Sequence, residues 1–309
     1  MADERPSLSP AQERTLAALR RGEEAVEFDR AFVTELRDEM QAALDHFASR
    51  LGERDELFVS KHRVASVLEC EEHHLQPDEF EWTPANAKGT VAHKAIELFM
   101  AWRDEPVPAD LVDAALERLA DSTSGISSWI ATLDPAEEAD LRSQSTVRVT
   151  TFMQDFPPLT KRAAPVLEAS VRWPKAGPIV LSGKVDLMFG RPNGIESTKV
   201  IVDFKTGRMH PRHRQDLGFY ALLETLVREV PPRKIATFYL DAAEAQVEDV
   251  SEAMLNTAMR RTLDAIEQLV QLHVERRPPT RRPGSSCRWC PLRTECELGI
   301  EHLAARFDD

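Results

Sequence analysis

The alternation of apolar and polar positions changes style near Pro157–Pro158. Before that point apolar residues recur at helical spacing. Residues 10–50 are dense in Ala, Leu, Glu and Arg, which favour helix. Ser60 is placed to cap a helix running to Leu68. Thr90–Trp102 (TVAHKAIELFMAW) is strongly helical, with Gly89 just ahead of it and Pro106 and Pro108 beyond its end. Asp110–Asp121 and Pro135–Phe156 predict further helices. After Pro165 the period shortens. VLEASVRW, IVLSGKVDLMF and KVIVDFKT are Val- and Ile-rich runs separated by KAGP and GRPNG, which predicts three strands joined by turns. A helix from near His213 to Arg228, a fourth strand KIATFYLD and a long helix from near Ser251 to Glu275 follow, and a basic, proline-rich run then leads into a group of cysteines.

This order predicts an α/β fold with a mixed central sheet flanked by helices, a helical N-terminal part and a cysteine-bearing C-terminal tail. The expected division is an N-terminal helical extension over 1–59 and a main domain over 60–300. The latter comprises a helical part (60–157), an α/β core (158–275) and a basic cysteine tail (276–300). No internal repeat is visible.

Charge and cysteine usage sharpen this outline. The 309 residues carry a net charge of −13, which argues against indiscriminate binding of nucleic acid, so any phosphate contact must be local. Two stretches concentrate arginine: Arg276, Arg277, Arg281, Arg282, Arg288 and Arg293, with no acid among them, and Arg208, Arg212 and Arg214. Each reads as a solvated loop unless it borders a site. No apolar run reaches the length of a membrane helix, and MADERPSLSP lacks the pattern of a signal peptide, so the cytoplasm is the expected location, with no membrane partner. In such a compartment four cysteines point to metal or cluster binding before disulfides.

Candidate chemistry begins with Asp186 in the second strand and Asp203 and Lys205 at the end of the third. Strand alternation puts Asp203 and Lys205 on one face and Phe204 on the other. If the two strands are neighbours, Asp186 stands opposite Asp203. Converging carboxylates repel unless a cation sits between them, and oxygen ligands suit Mg²⁺ or Mn²⁺. D-F-K-T-G alone is more readily a strand-end salt bridge than a catalytic motif. His93 shifts that balance: it lies on an otherwise apolar helix, four residues after Gly89 and four before Glu97, with which it shares a face.

Gly89–Thr90–x–x–His93, Glu168, Gly183–x–x–Asp186 and Asp203–x–Lys205–Thr206–Gly207 together resemble the RecB-like branch of the PD-(D/E)XK nuclease superfamily. The resemblance spans Lys61 to Gly299. It implies a Mg²⁺- or Mn²⁺-dependent deoxyribonuclease, exonuclease before endonuclease, acting on single-stranded DNA or DNA ends in repair, recombination or phage defence. On that resemblance His93, Asp186, Asp203 and the Phe204 carbonyl hold the metal, Lys205 orients the attacking water, and Glu168 has a supporting role. Arg208, Arg212, Arg214, Tyr220, Arg281 and Arg282 are its candidate DNA contacts. One departure concerns the next helix. The family usually carries Gln four residues before Tyr, whereas here Asp216 holds that place before Tyr220 and Gln215 lies one further back.

Cys287-x2-Cys290-x5-Cys296, with Cys70 lying 217 residues upstream of the first, resembles the iron–sulfur staple of the AddB-type and CRISPR-associated nucleases. It implies a [4Fe–4S] cluster, with zinc as the alternative. No phosphate-binding loop of an ATP-driven motor is present, so unwinding would fall to a helicase or defence-complex partner. Two other readings remain: a non-catalytic DNA-binding or scaffold subunit, and a zinc-stabilised interaction module that leaves the acidic residues without a purpose.

Overall fold

The computed structural model describes residues 8–305 except 21, 23, 54, 78, 79, 103, 104, 161 and 162; the acidic start of the chain, 1–7, lies outside the described residues. The N-terminal helical stretch is two helices, α1 (Pro10–Leu19) and α2 (Arg30–Ala48). A short strand, β1 (Leu57–Val59), leads into α3 (Lys61–Glu69), which Ser60 caps as predicted by accepting from the Arg63 N–H. After the single turn α4 (Glu71–His74) come α5 (Pro84–Phe99), α6 (Pro108–Ala120), the short α7 (Gly125–Ile130) and α8 (Pro135–Asp155).

Helix α5 starts six residues earlier than its apolar pattern suggested. Thr83 and Asn86 form a reciprocal cap and Pro84 takes the first turn, so Gly89 lies inside the helix rather than before it. Its role is close approach: a Cβ there would sit 3.0 Å from Thr206 Oγ1.

The three predicted strands are β2 (Val166–Trp173), β3 (Ile179–Phe189) and β4 (Val200–Lys205), joined as an antiparallel meander. Helix α9 (Pro211–Arg228) then crosses over to β5 (Lys234–Tyr239), which pairs parallel with β4, as a parallel pair requires. An edge strand, β6 (Glu244–Asp249), and the long α10 (Glu252–His273) follow. A 3₁₀ turn (Ser285–Arg288) and α11 (Glu297–Ala305) close the chain. The sheet is mixed, in the order β1-β3-β4-β5-β6 with β2 on the far edge of β3.

Two cores sandwich this sheet. On one face Leu36, Met40, Leu181, Ile201, Leu222 and Leu269 join α2, α9 and α10 to the strands. On the other, Val91, Ile96, Leu111, Phe152, Val202, Phe204 and Phe238 join α5, α6 and α8 to them. Truncating a fully buried Leu such as Leu181 or Leu222 to Ala should cost about 2–5 kcal/mol.

The pairing of β3 positions everything that follows. Leu181 pairs with Val59 on one side and Trp173 on the other, while Met188 pairs with Ile201 and Val166. Strands β1 and β4 therefore share one edge of β3. One runs parallel to it and the other antiparallel, so their C-terminal ends face each other across residues 182–186.

Candidate functional site

That gap in the sheet edge holds the predicted acidic residues. The β3–β4 ladder ends at Leu187↔Val202, so Asp186 and Asp203 are the next residues on their strands just beyond its last pair. The Asp186 carboxylate turns to the end of β4, where its Oδ2 accepts from the Phe204 N–H at 2.8 Å. Asp203 is 1% exposed. Burial of a lone carboxylate there would be costly, but two ammonium groups flank it: Lys205 Nζ is 2.6 Å from its Oδ2 and Lys61 Nζ 3.2 Å from its Oδ1.

His93 reaches the site from α5, with Nδ1 3.6 Å from Asp186 Oδ1. Burial pushes the imidazolium pKa down, but the Asp186 carboxylate, and then Asp203, outweigh it and raise the value above that of an ordinary histidine. Burial likewise pushes Asp186 up, yet His93, Lys205 and the Phe204 N–H hold it below the usual carboxylate range.

Glu168 is closer to the centre than its supporting role implied. It stands across the β2–β3 pair from Asp186, in a gap of the register between Leu167↔Leu187 and Ala169↔Val185. Its φ of 52° is left-handed, a strand distortion that re-aims a side chain. Ligand atoms of His93, Glu168 and Asp186 lie within 4.8 Å of one another. One imidazole nitrogen and two carboxylates form a donor set suited to a hard divalent cation. Asp203, expected in the same ligand set, is instead turned toward its two lysines. Glu168 also pairs with Lys184 on β3.

Lys61 was not singled out from the sequence. It lies 142 residues from Asp203, and only the pairing of β1 beside the gap brings the first turn of α3 to the site. Burial lowers its affinity for a proton, but Asp203, Tyr220 and Asp216 outweigh that and raise the ammonium pKa. Its Nζ lies 4.0 Å from Asp216 and 4.7 Å above the Tyr220 ring. The residue standing where the family usually has Gln thus faces a lysine from another helix, and burial raises its carboxyl pKa. His213 is another addition, joined through Nδ1 to Tyr239 Oη at 2.9 Å.

Tyr220 does not present itself to DNA. It is 3% exposed, its hydroxyl donates to the Lys184 carbonyl at 2.6 Å, and it packs on β3. A Cβ at position 183 would lie 2.5 Å from its ring, which explains the glycine in Gly183–x–x–Asp186. The arginine candidates are also partly committed. Arg214 pairs with Glu248, Arg281 with Glu72, and Arg212 lies 3.8 Å from Glu69. Arg282 donates to the Leu68 carbonyl. Arg208 is exposed, with no ion pair among the described residues.

The four cysteines converge. Cys70, between α3 and α4, lines one small pocket of about 20 Å³ with Cys287, Cys290 and Cys296. All four are free thiols. Burial, and beyond it the other three thiols, raise the Cys290 pKa against the opposing Leu292 N–H. A Cβ on Gly299 would lie 3.6 Å from both Cys287 Sγ and Cys296 Sγ, an ordinary van der Waals contact, which places α11 against the nest. Glu71 anchors the tail: its buried carboxylate accepts from Arg277 and from the Thr280 N–H.

Among the described residues no helix is long and apolar enough to cross a membrane. The chain matches none of the curated proteins. Among solved structures it is similar to one from Eubacterium rectale described as a "putative exonuclease", with 11% identity, 79% of this chain and 87% of that one covered, and a TM-score of 0.46. The crystal structure of SSO0001 is 16% identical, with 68% of this chain and 95% of that one covered and a TM-score of 0.28. The family model of the PD-(D/E)XK nuclease superfamily matches residues 59–297, which takes in the gap, its carboxylates and the cysteine nest, and the chain belongs to that superfamily.

Proposed function

We propose that the chain is a divalent-metal-dependent deoxyribonuclease acting on single-stranded DNA or DNA ends. The observation that carries this reading is the convergence of His93, Glu168 and Asp186 within 4.8 Å beside the buried Asp203–Lys205 pair. His93, Asp186 and Glu168 would hold Mg²⁺ or Mn²⁺, while Asp203 stays between its two lysines. Such an ion supplies charge to the scissile phosphate and lowers the pKa of a water. Lys205, fixed by Asp203, orients that water. Lys61 adds a second positive charge toward the phosphate. In the reaction the water oxygen bonds to phosphorus, the P–O bond to the leaving nucleotide breaks, and the water's proton leaves the site as the leaving oxygen gains one. The intact set of acids, lysine and histidine disfavours a scaffold without activity.

The cysteine nest is proposed to hold a [4Fe–4S] cluster that staples the tail to α3. Four thiols lining one pocket suit a four-cysteine cluster or a zinc ion, and the spacing of the cysteines resembles the iron–sulfur framework. A partner helicase would supply any unwinding, and exonucleolytic action in repair or defence follows from the resemblance.

The test is cleavage of end-labelled single- and double-stranded DNA with Mg²⁺ or Mn²⁺, and with EDTA. Cleavage that EDTA abolishes is expected, and its absence under every metal condition would overturn the nuclease reading. Protein purified without air should be brown and contain iron and sulfide. A colourless protein holding one zinc would replace the cluster with the alternative.

A further inference from the structure

An open groove of about 740 Å³ runs between α3, α4 and the cysteine tail. It adjoins the acidic site at two helix starts. Lys61 points into the site, and His62 and Arg63 after it line the groove. Arg212, in the first turn of α9, lines it too, while Asp216 one turn on faces the site.

The groove carries groups that the acidic-site chemistry does not use. Trp289 stands on its wall 73% exposed, the most exposed large apolar side chain among the described residues. It sits between Cys287 and Cys290, so the nest fixes its backbone. Leaving an indole in water is unfavourable, and its flat face suits stacking. Arg293 shares the wall, and no acid pairs with its side chain among the described residues. The Arg63 guanidinium donates to the Phe58 carbonyl, no acid pairs with it among the described residues, and burial lowers its pKa. These cations matter in a chain of net charge −13 whose other arginines are often matched to acids, such as Arg37 with Glu229, Arg50 with Glu267 and Arg142 with Asp113. Of the two carboxylates that line the groove, Glu69 and Glu81, the first is partly offset by Arg212.

An aromatic platform beside Arg63 and Arg293, neither paired to an acid among the described residues, and opening onto the acidic site, is the arrangement that binds a single strand without reading its sequence. We infer that single-stranded DNA enters along this groove, with a base stacked on Trp289 and phosphates at Arg63, Arg212 and Arg293. This rests on the nuclease reading and adds the strand's route. It moves that route away from Arg214 and Arg281, which are paired to acids, and from the buried Tyr220.

The test measures binding of a fluorescent oligothymidylate in EDTA, where no cleavage is needed. Trp289→Ala should weaken binding by about 5- to 150-fold, the scale of one base–aromatic stack, and Trp289→Phe should keep most of the affinity. Arg63→Ala and Arg293→Ala should each lower the salt slope by about 0.7. A loss equal on blunt duplex and single strand would overturn the single-strand route, as would wild-type affinity in Trp289→Ala. If that variant fails to fold, the unmodified protein serves: light-driven crosslinking of a bound 5-bromodeoxyuridine oligonucleotide should map to Trp289, and crosslinks confined elsewhere would overturn the proposal. Hydrolysis of bis(p-nitrophenyl) phosphate by the unmodified protein with Mn²⁺ tests the nuclease chemistry separately. Its failure would sink the nuclease reading without touching the EDTA binding data, so the two can fail independently.

Discussion

The carboxylate site and the cysteine nest are joined by one short helix. Lys61 in the first turn of α3 enters the former, and Cys70 just past its last turn closes the latter, about 14 Å apart along a nine-residue helix. Their support differs. The carboxylate site is compensated by the protein itself: two lysines flank Asp203, His93 faces Asp186, and both cores press on the strands beneath. The nest has no such backing. Among the described residues neither apolar core includes one beyond Val274, and the tail is held by polar contacts, chiefly Arg277 and Thr280 to Glu71 and Ser285 to Glu69. Chemistry and stability should therefore separate by mutation.

The largest expected effect is on chemistry alone. Asp203→Asn keeps the shape of a fully buried side chain and removes the charge between two lysines. Cleavage of end-labelled single strands should fall on the order of 10³-fold, as when a preorganised charge-stabilising group is lost. The cluster proposed for the nest, at the other end of α3, should keep its visible absorbance. Loss of iron in this variant would show the two sites to be one cooperative unit.

The converse variant is Cys70→Ser. Removing the one ligand on the far side of the nest opens a loop of more than two hundred residues, worth up to about 5 kcal/mol by loop-closure entropy. Thermal unfolding without air should shift down by several degrees, and proteolysis should cut first near residues 278–285. An unchanged melting temperature would mean that the polar anchors hold the tail unaided.

Lys61 gives a smaller effect and shows where sequence reading stops. Lys61→Ala should lower cleavage by about 10²-fold, the low end of what one charge-stabilising group contributes, and Lys61→Arg should restore part of it. A Lys61→Ala enzyme of full activity would make the lysine a mere counter-charge for Asp203. The sequence could bring Asp186 near Asp203 because both lie on strands that are consecutive in the chain and antiparallel neighbours in the sheet. It brought Cys70 and the tail together only through the family pattern. It could not place Lys61, because the decisive contact is the parallel pairing of three residues, Leu57–Val59, too short to stand out from their helical surroundings. The strand Glu244–Asp249 was hidden for another reason: it is a polar edge strand, half-exposed on alternate residues. The pairing of Arg214 and Arg281 with acids was equally invisible, since Glu248 and Glu72 are distant in sequence. Arginine-rich runs alone therefore did not show which of these side chains are matched to acids, such as Arg214 and Arg281.

The smallest effect is expected at Glu71 and depends on pH. Burial alone would raise this carboxyl, but Arg277 and the Thr280 N–H hold its pKa below 4.5, its ordinary value. A group depressed in the folded state binds fewer protons there than in the unfolded chain, so it adds stability above the unfolded value. That contribution is full at neutral pH, begins to fade as the pH falls through 4.5, and is gone once the pH is below the folded pKa. Backbone amides near Thr280 should lose hydrogen-exchange protection over that window, before the strands β3 and β4 do. Cysteine ligands also take up protons in acid, so the comparison that isolates Glu71 is Glu71→Gln. This variant should have a looser tail at neutral pH and little further change between pH 5 and pH 3. If the variant and the parent lose protection in parallel, the acid sensitivity belongs to the nest, and the polar anchor at Glu71 does not hold the tail.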